Sequence, residues 1–224
     1  MKRRTLDIIF ASGGLAVALL LVVLGLAIAS QAAFAADYAK TELSAQKITF
    51  ATADTLTPEA KTWKAGSVCL VNFAGQNMET GPQAECYAKY YIALHMETAA
   101  ISAGFPGATY ATLGATQTDL RNQIAAAKGK SDQATVDVTQ KKLDAATSLR
   151  TTMQTGETLR GLLLTVYGFS VIGEKAALAG NLIYGLAALM AALSIAGFVH
   201  AFVTPKDQVV FQPTRDWGTA PTTA

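Results

Sequence analysis

The chain has 224 residues, 51% hydrophobic and only 15% charged, with 18 basic against 16 acidic side chains. Soluble domains carry about a quarter charged residues, so this composition argues against a wholly water-soluble globule. The near balance of charge leaves no basic excess from which to build a nucleic-acid surface.

Residues 1–7 form a basic stub, in which Lys2, Arg3 and Arg4 outweigh Asp7 by two charges, the whole formal charge of the protein. Uncharged residues then run from Ile8 to Ala36. As helix this block rises roughly 43 Å, more than the roughly 30 Å hydrocarbon core of a bilayer. A cleaved signal peptide is the competing reading. Lys2-Arg3-Arg4 would be its basic region and Ala33-Phe34-Ala35 its small-x-small cleavage site. However, Ile8 to Ala29 already exceeds the roughly 7–15 residues of a signal core, so a retained first transmembrane helix over 8–36 is expected. Were it cleaved, one anchor would remain.

The second apolar block, Ala176–Phe202, predicts a span over 176–203 with His200 as its only titratable group. Short basic flanks stay cytoplasmic, whereas long segments cross largely regardless of charge. The expected protein is therefore a multi-pass plasma-membrane protein with both termini cytoplasmic. Residues 37–175, with 13 basic and 13 acidic side chains, then form an extracytoplasmic domain.

Within that domain no stretch alternates at period two for more than five residues, so an all-α fold is expected. Ala36–Lys47 holds good helix formers and no Gly or Pro, so the first helix should continue to about Lys47. Ile48–Pro58 reads as an extended connection. Thr57-Pro58 should cap a short helix through Trp63, and Gly66–Gly81 should be irregular. Pro82 opens a helix to about Ala103, with Ala84, Ala88, Tyr91, Ile92, His95 and Ala99 as its inward face. A further helix spans about Thr109–Lys128. Val136, Leu143, Ala146, Leu149 and Met153 place the next one over residues to Gln154. The apolar run Leu159–Ile172, interrupted at its start by Arg160, is expected to lead continuously through Gly173 into the second span, since no turn cluster intervenes. The proline-spaced tail 204–224 is expected to be disordered.

Cys69 and Cys86 both fall in the outside segment, where disulfides are permitted. A bond between them would close an 18-residue loop, worth about 3 kcal/mol on the chain-entropy model. Two buried free thiols are the alternative. Gly129-Lys130-Ser131 lacks the preceding strand and upstream glycine of a phosphate loop. His95 and Glu97 point to different helix faces and make no metal pair. Tyr87, Tyr91 and His95 share one face. They form a possible ligand or partner surface, or a row of rings burying their bodies and keeping their polar tips wet. His200 has no second histidine at its depth for bis-imidazole haem ligation and reads as interfacial. In the second span Gly180, Asn181, Gly185 and Ser194 provide a possible helix-packing surface, used either by a membrane-protein partner or self-association, or by the first span. No catalytic, cofactor or metal set is assembled.

Two stretches carry a resemblance. The first is Ala74-Gly75-Gln76 to Gly81, with Gln83-Ala84, Tyr87-Ala88, Tyr91-Ile92-Ala93 and His95. The second is Gly156-Glu157-Thr158-Leu159-Arg160-Gly161-Leu162-Leu163-Leu164. With Arg3-Arg4-Thr5-Leu6-Asp7 they resemble a family of actinobacterial membrane proteins of the same two-span layout. Some members carry a label as aromatic ring-opening dioxygenases, which implies histidines and a carboxylate around iron. The single histidine of residues 37–175 does not match that implication. The expected function is non-enzymatic: an accessory or scaffold subunit of a bacterial cell-envelope complex, a respiratory one included. An anchored extracytoplasmic sensor or ligand-binding module is the alternative.

Overall fold

The computed structural model describes residues 2–205, so the tail expected to be disordered lies, from residue 206 on, outside the described residues. Those described are helical, with no strand, and Thr49 and Asn77 form an isolated backbone bridge. The described residues divide into two compact units, one of residues 2–33 with 174–205 and one of residues 34–173. Two helices contribute to both, α1 (Arg3–Ala45) and α7 (Gln133–Val203), and each is long and apolar enough to cross a membrane.

In the first unit the two helices meet along small residues. The buried positions are Ala11, Ala18, Gly25 and Ala32 on α1, and Gly180, Ala187, Ser194 and Ala201 on α7. Both rows repeat every seven residues. An ideal straight helix drifts off such a row, so the seven-residue period predicts left-handed winding of the pair. Small side chains let the backbones approach. A Cβ added to Gly25 would stand 2.8 Å from the Tyr184 ring, and one added to Gly14 would stand 2.5 Å from Ser194 Oγ. Away from this seam Leu20, Val23, Leu182 and Leu193 are exposed, an apolar surface of the kind that marks a membrane contact.

The second unit begins with the end of α1, which stops where Lys47 turns into the left-handed region at φ 54°. Thr57 caps α2 (Pro58–Thr62), its Oγ1 accepting from Ala60 N at 3.1 Å. The segment expected to be irregular instead holds a 3-10 turn (Ala65–Ser67) and α3 (Val68–Asn72). The reason is local: Ser67 Oγ accepts from Lys64 N at 3.0 Å and closes the turn, and Cys69 is fixed by a disulfide to Cys86 with Cα atoms 6.0 Å apart.

The expected Pro82–Ala103 helix is not uniform. It comprises α4 (Gly81–Cys86), a π-helical segment (Tyr87–Ile92) and α5 (Ala93–Ser102). Thr80 and Gln83 cap it reciprocally. Gln83 Oε1 accepts from Thr80 N at 3.0 Å, and Gln83 N donates to Thr80 Oγ1 at 3.4 Å. Gly81 precedes the proline as first residue because a Cβ there would collide with Ser170. The predicted inward face is also corrected. Ala84, Ala88, Ile92, Met96 and Ala100 are buried, whereas Tyr91 and Ala99 are half-buried and His95 is exposed. The wider π turn keeps a strict four-residue row facing the core. In an ordinary α-helix that row would drift off the face, and His95 would turn inward in place of Met96.

Two contacts from α7 hold this segment. Arg160 Nε donates to the carbonyl of Ala88 at 3.1 Å, and its Nη1 pairs with Glu157 at 2.8 Å. A Cβ on Gly156 would stand 2.6 Å from Met96 Sδ, so glycine there makes room for the thioether. Helix α6 (Tyr110–Gly129) and the start of α7 form a hairpin through Lys130–Asp132. Gln117 links it, donating to Thr147 at 2.9 Å and accepting from Arg150 at 3.0 Å. The unit's core gathers Leu43, Phe50, Leu70, Met78, Leu113 and Met153.

Two outcomes are expected. Gly25→Leu should destabilise the helix pair by about 1–3 kcal/mol through overpacking against Tyr184, read as a lower thermal midpoint in detergent. Arg160→Met should cost about 1.5–3 kcal/mol, the worth of a hydrogen bond to a charged group, measured by urea unfolding of the purified protein.

Candidate functional site

Four-residue spacing in and after the π segment stacks three rings. Tyr87 and Tyr91 lie with centroids 4.5 Å apart and planes at 27°, and Tyr91 and His95 with centroids 4.4 Å apart. The row continues inward. Tyr87 meets Phe50 edge-on at 5.4 Å, and Phe50 meets Phe73 at 5.6 Å. Five rings therefore lead from the buried Phe50 region to an exposed imidazole. Offset and edge-on aromatic pairs each add about 0.5–1.5 kcal/mol beyond burial, so the ladder holds His95 in place from below.

The disulfide anchors the same feature, since Cys86 immediately precedes the π segment. Burial, reinforced by the neighbouring Tyr91, pushes the Tyr87 phenol up to about 12. His95 Nδ1 lies 3.0 Å from the Tyr91 carbonyl oxygen. A carbonyl can only accept, so in this contact Nδ1 carries the hydrogen and donates it.

Two grooves flank His95. One of about 510 Å³ is lined by Tyr91, His95, Thr55, Glu59, Thr98 and Ser102, among others. The other, about 690 Å³, is lined by His95, Met96, Ser148, Thr151, Thr152 and Thr155, among others. Both volumes fall in the range of small-molecule sites, and no Lys or Arg lines either.

The remaining expected sites separate. Gly180 and Ser194 face α1, an added Cβ on Gly180 lying 3.6 Å from Ile28. Gly185 has open space where its Cβ would be, and Asn181 is exposed. His200 stands at the end of its helix, with Nε2 3.9 Å from Asp7 Oδ2 and 3.4 Å from Thr204 Oγ1. Among the described residues no three His, Cys, Asp or Glu side chains cluster as a metal site. Phe50 and Phe73 were not singled out from the sequence. Phe50 meets Tyr87, 37 positions away, and Phe73, 23 positions away, beyond any local spacing rule.

No family model, no curated protein and no solved structure matches the chain.

The raised Tyr87 has a consequence at high pH. The folded state holds this proton more tightly than the unfolded state, so its contribution to stability is full below about pH 10 and is lost as pH rises toward 12. Absorbance titration of the seven tyrosines should show a late step near pH 12 that disappears in Tyr87→Phe.

Proposed function

We propose that this protein is a non-enzymatic binding module of the bacterial cell envelope, anchored by two spans with both termini cytoplasmic and residues 37–175 outside. The Lys2-Arg3-Arg4 stub supports that orientation, and the Cys69–Cys86 bond suits an oxidising compartment. One observation carries the binding reading: an exposed imidazole, its Nδ1 hydrogen held by the Tyr91 carbonyl, stands between two grooves at the end of a ladder rooted in the core. A ring held this firmly meets a ligand with little ordering cost.

The test uses protein labelled with ¹³C at histidine Cε1, in detergent. The His95 resonance, assigned through His95→Gln, should shift on titration with fractionated soluble envelope extract while that of His200 does not. Tyr91→Ala should weaken the response up to about tenfold, the worth of one aromatic pair. If no fraction moves the His95 signal, the reading fails.

A second reading has its own observation. Asn181 and Gly185, one helical turn apart on α7, face away from α1. An amide in lipid gains up to about 1–2 kcal/mol by bonding to another helix. This supports an accessory or scaffold role in a membrane complex, respiratory complexes included, or self-association. Native electrophoresis after mild solubilisation should then show an assembly that Asn181→Leu weakens; a lone monomer in the wild type counts against it.

A further inference from the structure

Met96 follows His95 on α5 and lines the 690 Å³ groove. Its thioether lies in a notch of α7 at Gly156, where an added Cβ would stand 2.6 Å from Met96 Sδ and 2.8 Å from its Cγ. A glycine inside a helix is unfavourable, and the space this one leaves is taken by the sulfur. Gly156 lines the same groove. Of the three methionines between residues 34 and 173, Met78 is 0% and Met153 2% exposed, against 8% for Met96. Met96 is thus the most open of the three. The two cysteines of the chain are joined to each other, which leaves methionine as the side chain most open to a peroxide.

When hydrogen peroxide meets a thioether, an S–O bond forms as the O–O bond breaks. Sulfur is oxidised to the sulfoxide, and the second oxygen leaves as water with both hydrogens. The product is polar where the thioether was apolar, and it carries one more heavy atom. A Cβ at 2.6 Å is already inside van der Waals contact, so the notch has no room for that oxygen on the α7 side. A polar oxygen held there without a donor would also lose its hydration uncompensated. The sulfoxide therefore turns out into the groove, where water hydrates it, and α5 loses its contact with Gly156.

We infer that Met96 is a peroxide-sensitive switch of the His95 surface: oxidation to the sulfoxide draws the side chain out of the Gly156 notch and loosens α5 beside His95. The binding reading above gives this switch something to control, but its readout needs no ligand, so each can fail alone. The full-length protein, labelled at histidine Cε1 and held in detergent, is titrated with hydrogen peroxide. Peptide mass mapping then reads the oxygen gained at each methionine. Met96 should be converted before Met78 and Met153, and the His95 resonance should move in step with that conversion. Met96→Leu, a swap that conserves volume, should fold and keep the resonance fixed at the same peroxide dose. The proposal is overturned if Met96 resists oxidation, or if Met78 or Met153 is converted as early. It is equally overturned by a His95 signal that stays put once Met96 is fully sulfoxide, or that moves as far in Met96→Leu.

Discussion

The bond from Arg160 to the carbonyl of Ala88 spans 72 positions of sequence, and the arrangement of residues 34–173 turns on it. It ties α7 to the π-helical segment where an ordinary helix would drift off register. The extra width of that segment keeps Ala84, Ala88, Ile92, Met96 and Ala100 on one buried row. It also leaves Tyr87, Tyr91 and His95 as a neighbouring row of the same spacing. Core and candidate site are two faces of one register. A guanidinium half-sheltered beside Glu157 suits the task, because its fixed fork serves the backbone carbonyl and the carboxylate together.

The unit formed by the two long apolar helices solves a different packing problem with smaller parts. Water drives helices together by hiding apolar surface, but lipid offers no such gain, so close backbone approach and van der Waals contact must suffice. Alanine, glycine and serine every seven residues on both helices answer that requirement. The same chemistry lies open at Asn181 and Gly185, about 100–180° round the helix from Gly180 and Ser194. What looks in sequence like one small-residue surface is two, one filled by α1 and the other facing outward.

Much of this was legible beforehand. The two apolar runs, the Thr57-Pro58 start and the hairpin after Lys128 follow from composition and capping chemistry, which act over a few residues. The expected inward face failed at His95 because an α period was assumed, and a single wide turn rotates everything after it. Nothing in Tyr87–Ile92 announces that turn, and the side chain that meets its Ala88 carbonyl, Arg160, comes from another helix. The seven-residue rows were present in the sequence all along. They were hard to single out because Ala11, Ala18 and Ala32 stand in a run where alanine is common.

The position of the Cys69–Cys86 bond gives the molecule an order of maturation. The bond closes one residue before the π segment begins, so it clamps the base of the ring ladder rather than a distant loop. A chain still in its thiol form would hold that base by packing alone. On the binding reading proposed above, competence at His95 would be coupled to oxidation, and a newly made polypeptide would acquire that surface only where thiols are oxidised.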